Sequence, residues 1–221
     1  MHKTNTVIIP VREQIYNRIK KAILSNEYKS GDIIQIEKIA REFGVSATPI
    51  RETFIRLENS GLLKLIPNKG AQVVEITDKD IRDTWEMRKL LEPYAARLTA
   101  ELDVTESISD LRGRIEHILE GDYDQDAYIE ADNDIHLLLF SSIPNTLLKE
   151  TIHRVHNLSM RMRYQAENVS EDNKQVIRAV CTEHLEILNA LSGHDPDKTE
   201  QAVRKHLENG EYRTLESAQR P

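Results

Sequence analysis

Between residues 35 and 76 the run QIEKIAREFGVSATPIRETFIRLENSGLLKLIPNKGAQVVEI permits few folds. Ile36, Ile39, Ala40 and Phe43 recur at three- and four-residue steps, the mark of one buried helix face. Gly44 follows as a helix stop, and Val45 plugs the angle to a second helix. Ser46 is a natural N-cap for that helix, with Thr48-Pro49 a near equivalent. Its inward residues are Ile50, Phe54, Ile55 and Leu57. Residues 62–66 and 71–76, rich in Leu, Ile and Val, flank the turn Pro67-Asn68-Lys69-Gly70. Helix, turn, helix and hairpin in that order are the layout of a winged helix-turn-helix, a shape that grips one face of a duplex.

The other face of the second helix offers Ala47, Thr48, Arg51, Glu52 and Arg56. Ser46 and Thr48 sit where helix N-terminal amides and hydroxyls meet phosphates. Arg51, one turn in, is placed for a guanine edge or a phosphate, unless it merely pairs with a nearby Glu. At the hairpin tip Lys69 supplies charge, and Gly70 lets the backbone approach a sugar-phosphate wall. Upstream, residues 10–27 read as an amphipathic helix with the stripe Val11, Ile15, Ile19, Ala22 and Ile23. Arg12 at its start is a further candidate phosphate contact. Residues 1–7 read as a loose tail, and Tyr28 to Asp32 as a loop broken by Gly31.

The net charge of −7 looks wrong for a nucleic-acid binder until it is divided. Residues 1–77 hold 12 Lys and Arg against 8 Asp and Glu, and the remainder holds 18 against 29. A basic head thus precedes an acidic body, which repels DNA and confines binding to the head. No apolar run approaches a membrane span and no signal-peptide pattern is present, so the expected compartment is the cytoplasm. The single cysteine, Cys181, excludes an internal disulfide framework.

Residues 78–221 read as helix after helix: near 78–102, 107–119, 124–141, 144–167, 172–193 and 196–213. Breaks fall at Gly121-Asp122, Ile143-Pro144-Asn145, the polar 168–173 segment and Gly193 to Pro196. The expected fold is mainly α: a winged helix-turn-helix over 1–77, then an all-α antiparallel bundle over 78–221. Inside the bundle's apolar stripes stand polar residues. Asp132 and His136 share a face with Tyr128, Ile129, Ile135, Leu139 and Phe140. His184 lies among Val180, Ile187, Leu188 and Leu191, and His206 among Ala202, Val203 and Leu207. One inward histidine is usually a hydrogen-bonded core residue. A carboxylate and imidazoles converging from three helices are better explained by a divalent metal, with Zn, Ni, Mn or Fe all fitting the donors and zinc the one expected on isolation. His2, His117 and His194 fail this test, and His153 and His156 only flank a stripe.

The segment GVSATPIRETFIRLENSGLL followed by PNKGAQV resembles the signature of the GntR family of bacterial transcription regulators. That likeness implies DNA contacts at Thr48, Arg51, Lys69 and Gly70. It breaks at Ala47, where many members carry a guanine-reading arginine, and at Glu37, where some carry a basic residue. EMRKLLEPYAARLTA, DNDIH, EHLEILNAL and AVRKHLENG resemble the FCD effector domain of the FadR-type branch. This second likeness implies metal ligation by Asp132, His136, His184 and His206. It also implies an effector-facing arginine at Arg88, for which an ion pair with Glu92 is the alternative. Together they imply a homodimeric regulator, commonly a repressor and not an enzyme, that binds operator DNA under control of a small carboxylate. Two other readings stand beside it: the metal itself as signal, and a metalloenzyme carrying a DNA-binding head.

Overall fold

A computed structural model describes residues 10–67, 69–121, 124–169 and 173–218, without the side chains of 125, 164–169, 173 and 218. The tail at 1–7, Asn68 of the hairpin turn, Asp122 and residues 170–172 of the polar break lie outside the described residues. The chain divides into two units, Met1–Ile76 and Thr77–Pro221.

In the first unit, Pro10 precedes α1 (Val11–Leu24), which buries Ile15, Ile19, Ala22, Ile23 and Leu24. Val11 does not join that stripe; at the helix start it is 46% exposed. The helix-turn-helix follows as α2 (Ile36–Phe43) and α3 (Ala47–Asn59), separated by Gly44 with its left-handed φ of 64°. Ser46 occupies the N-cap position with extended backbone, but its hydroxyl makes no capping hydrogen bond. Ile50, Phe54 and Leu57 face the core, whereas Ile55 is 48% exposed. Ile55 lies one turn after Arg51 and so shares its outward face.

The hairpin is β2 (Leu63–Ile66) with β3 (Gly70–Val73), antiparallel from Leu63↔Val73 to Ile66↔Gly70. A short strand not anticipated from the sequence, β1 (Ile33–Ile34), pairs antiparallel with β3, giving the sheet order β1-β3-β2. This explains Gly70. Its φ is +108°, and a Cβ there would stand 2.2 Å from the Ile34 carbonyl oxygen. The close approach that demands glycine is therefore to β1, within the head itself.

The second unit is helical throughout its described residues: α4 (Asp78–Thr99), α5 (Thr105–Glu120), α6 (Gln125–Ser141), α7 (Thr146–Val169), α8 (Asn173–Ser192) and α9 (Pro196–Ala218). Thr77 and Asp80 form a reciprocal capping box at the start of α4, and the Asp124 carboxylate accepts the Asp126 and Ala127 amides at the start of α6. Helix α4 packs on α9, α7 and α6; α8 closes on α5, α9 and α7. Ala95, Phe140, Ile143 and Ile152 form one apolar cluster across α4, α6, its C-terminal loop and α7. Gly210 permits the tight α4–α9 contact, since a Cβ there would meet the Trp85 ring at 2.5 Å. No helix is long and apolar enough to cross a membrane among the described residues.

Candidate metal centre and DNA-reading face

Four helical residues converge in the bundle. His136 from α6, His184 from α8 and His206 from α9 are buried, as is Asp132 one turn before His136. The Nε2 atoms of His136 and His206 are 3.3 Å apart. Asp132 Oδ1 lies 3.7 Å from His184 Nε2 and 4.0 Å from His136 Nε2. One ligand atom from each of the three histidines falls within 4.8 Å of the others. The second Asp132 oxygen is taken: Arg163 Nη1, from α7, donates to Oδ2 at 2.6 Å.

The outer nitrogens decide what this cluster can hold. His206 Nδ1 is 2.7 Å from Glu183 Oε2, and His136 Nδ1 is 3.0 Å from Glu92 Oε2. An ionised carboxylate only accepts, so each Nδ1 carries the hydrogen. In the neutral tautomers both Nε2 atoms then present lone pairs to each other across 3.3 Å, with the donor Arg88 Nη2 also 3.4 Å from that of His136. His184 Nε2, also buried, has no hydrogen-bond partner. Lone pairs facing one another in a buried site repel unless a cation or a hydrogen-bond donor lies between them. A tetrahedral ion bound by imidazole at about 2.1 Å places neighbouring nitrogens about 3.4 Å apart. The donors present therefore fit a divalent ion.

The electrostatics agree. Burial, then the positive charges of Arg163 and Arg88, hold His136 well below the usual imidazole range. Burial and His206 push His184 down to about 3. Burial alone would raise Asp132, but Arg163 and the histidines overcome it and keep the carboxyl below its ordinary value. Burial also opposes ionisation of Glu183, yet hydrogen bonds from His206 and Arg213 take it down to about 2. Imidazoles that resist protonation beside ionised carboxylates are metal donors already in the binding form.

Arg88 is adjacent. It is 0% exposed, donating through Nε to Glu92 Oε1 at 2.6 Å and through Nη2 to Oε2 at 3.3 Å. Its guanidinium stacks 4.3 Å over the Trp85 ring, and Nη2 lies 3.3 Å from His136 Nδ1. Nη1 is buried with no hydrogen-bond partner. The Glu92 pair and a nitrogen without a hydrogen-bond partner thus coexist on one side chain. Beside the cluster lies one small cavity of about 20 Å³, lined by Trp85, Asp132, Arg163, His206, Gly210 and Arg213, among others. It holds about one water-sized group.

Sequence reasoning passed over Glu183, Arg163 and Arg213, and weighed Glu92 only as a partner for Arg88. The signal for Glu92 and Arg163 was available. Glu92 shares a stripe with Trp85, Ala95, Ala96 and Thr99, and Arg163 follows Ile152, His156 and Met160. His156 is buried, 3.1 Å from Asn133 Oδ1 and 5.4 Å ring to ring from His136. His153, His117 and His194 are exposed.

In the head, Ser46, Thr48 and Arg51 are exposed along the start of α3, and Lys69 at the hairpin tip. Arg51, Lys69 and Gly70 line one open groove of about 530 Å³ with Ile36, Glu37, Ile55 and Pro67. Arg51 makes no ion pair among the described residues. Arg12 does, with Glu52 of α3 at 2.8 Å, which holds it beside the recognition helix.

With this geometry in place, comparison with known proteins assigns both units. Residues 11–73 match the profile of bacterial regulatory proteins of the gntR family, and residues 83–209 match the FCD domain. The chain belongs to the GntR family and carries an FCD domain. It is a DNA-binding transcription regulator, and its families and relatives are regulators rather than enzymes. The HTH-type transcriptional repressor RspR of Escherichia coli (strain K12) is 27% identical over 201 residues, spanning 90% of this chain and 86% of RspR. The HTH-type regulator YdhC of Bacillus subtilis (strain 168) is 29% identical over 202 residues, with 90% and 88% covered. A GntR regulator structure from Rhodococcus sp. RHA1 superposes with a TM-score of 0.75 at 20% identity, over 93% of this chain and 97% of that one, a likeness of fold.

Proposed function

We propose that this regulator represses transcription from a near-palindromic operator as a cytoplasmic homodimer, and that a divalent metal in the bundle anchors a small carboxylate effector. The observation that carries the metal is the inward set of Nε2 atoms whose Nδ1 partners are carboxylates. Asp132, His136, His184 and His206 would hold the ion, which when bound supplies a Lewis-acidic anchor for an anion. Arg88 would take the other end of that anion through Nη1, a buried donor without a partner. In the head, Arg51 would read a base edge, while Arg12, Ser46, Thr48, Lys69 and Gly70 meet the backbone. Repression is the mode named for RspR. One head covers only a half-site, so a two-fold pair is the expected reader.

A second reading has its own support. The cavity of about 20 Å³ described beside the cluster is by itself too small for an organic acid. The metal alone would then be the signal, closing the bundle by joining α6, α8 and α9. Under the first reading the acid must open that space, and the opening is the conformational change transmitted to the operator.

One experiment separates them. Operator affinity is measured by fluorescence anisotropy for metal-stripped protein, zinc-loaded protein, and zinc-loaded protein with a panel of small mono- and dicarboxylates. Under the first reading only an acid changes affinity, by about 5- to 150-fold. Under the second, zinc alone does. Protein that binds no zinc, by elemental analysis after gentle purification and after reconstitution, removes both.

A further inference from the structure

The carboxylates behind the ligand imidazoles carry an inference that goes beyond the ligand set and rests on the metal reading above. We propose that Glu183 and Glu92 are positioning residues of the centre: each binds the Nδ1–H of one ligand histidine and thereby fixes its Nε2 as the metal-facing lone pair. The two are held in different ways. Glu183, on α8, is clamped from α9. Arg213 donates to both its oxygens at 2.9 Å, and Asn209 donates to Oε1 at 2.8 Å. His206, Asn209 and Arg213 stand at i, i+3 and i+7, so one face of α9 supplies both the ligand and the clamp for its carboxylate. Glu92 is held by Arg88 one turn earlier on its own helix.

A carboxylate behind a metal-bound imidazole sets ring orientation and tautomer and raises ligand basicity. Here the consequence is geometric. Rotation of the His206 ring by half a turn would bring a ring carbon to the centre and leave Glu183 without its imidazole donor. Arg213 and Asn209 prevent Glu183 from following such a rotation. His136 is locked likewise between Glu92 and the centre. His184 has no carboxylate of this kind among its described contacts, so two of three imidazoles are pre-set before any ion arrives.

The test uses full-length protein and zinc. Zinc affinity is measured by competition with a chromophoric chelator, and histidine tautomers by ¹⁵N chemical shifts of the metal-free protein. In unsubstituted protein, His206 and His136 are expected as the Nδ1–H tautomer; finding Nε2–H on both overturns the inference without any variant. Glu183→Ala is expected to weaken zinc binding roughly 10- to 100-fold and to mix the His206 tautomers. Glu183→Gln keeps an oxygen to accept Nδ1–H, so it should hold the tautomer and fall closer to the unsubstituted protein than Glu183→Ala does. Asn209→Ala, which loosens the clamp without touching His206, should weaken zinc binding by less than Glu183→Ala does. If Glu183→Ala binds zinc like the parent while His184→Ala does not, the positioning role is wrong and the metal centre stands. If the parent itself takes up no zinc, both fall.

Discussion

The head and the bundle hold their proposed functional groups in opposite ways. The head's proposed DNA contacts are exposed, apart from the half-buried Gly70, drawn mainly from one run between Ser46 and Gly70, and held by an apolar core beneath them. The bundle's are buried and come from α4, α6, α7, α8 and α9, between Arg88 and Arg213. A charge on the head's surface costs little to keep there, because water solvates it until a phosphate replaces the water. A charge in the bundle must be matched at once. Arg88 by Glu92, Arg163 by Asp132 and Glu183 by Arg213 show that matching. The head could therefore change one outward side chain at a time without disturbing its neighbours. The bundle's site should fail as a unit.

The largest effect that would test this contrast lies at Glu92. Glu92→Leu leaves the Arg88 guanidinium buried and unpaired, and removes the acceptor of His136 Nδ1. Removing one partner of a buried pair typically costs 3–5 kcal/mol, so we expect a loss of about 4 kcal/mol in urea unfolding of the bundle. Glu52→Leu in the head breaks only the exposed pair with Arg12 and should cost less than about 1 kcal/mol. Equal costs at the two sites would erase the distinction between them.

Acid provides a second, smaller perturbation. His184 in the folded protein titrates at about 3, and in the unfolded chain at the ordinary imidazole value of about 6.5. Between these values the unfolded chain binds a proton that the folded bundle refuses, so stability falls as pH drops from about 6.5. At pH 5 the loss from His184 alone is roughly 2 kcal/mol, and His136 adds to it with the same sign. Thermal melts of metal-free protein between pH 7 and 5 check this. Bound zinc should oppose it near neutral pH, since the ion occupies the same nitrogens. A bundle whose melting is flat over that range would mean its imidazoles are not desolvated as the geometry requires.

The same contrast explains what could be read in the sequence. The helix-turn-helix and hairpin were legible because every constraint is local: the spacing of Ile36, Ile39 and Phe43, the stop at Gly44, the turn around Lys69. Strand β1 was not, because Ile33 and Ile34 are too few to show alternation. The demand on Gly70 was missed with it, since that demand comes from the Ile34 carbonyl. Ile55 was misplaced because a helical stripe is wide and its edge positions can face either way. In the bundle, polar residues inside apolar stripes pointed to Asp132, His136, His184 and His206, and the structure gathers all four. Glu183 was invisible to that logic. It borders its stripe rather than interrupting it, and no periodicity links position 183 to position 206.

The smallest expected effects lie on the DNA-reading face, where they also rank its residues. Arg51 is exposed, unpaired among the described residues, and one turn into α3. Arg51→Ala should cost about 1–3 kcal/mol of operator affinity and relax preference at one base position. Arg12 is tethered to Glu52, so its contact would be with a phosphate near the start of α3. Arg12→Ala should weaken specific and non-specific DNA alike, by less than Arg51→Ala does. It should also lower the slope of log affinity against log salt by about one, the signature of one lost phosphate contact. Anisotropy titrations at several salt concentrations, on operator and scrambled duplexes, distinguish the two patterns. If Arg51→Ala lowered both duplexes equally while Arg12→Ala lowered only the operator, the base-reading role would belong to α1. The groove between α3 and the hairpin would then not be where sequence is read.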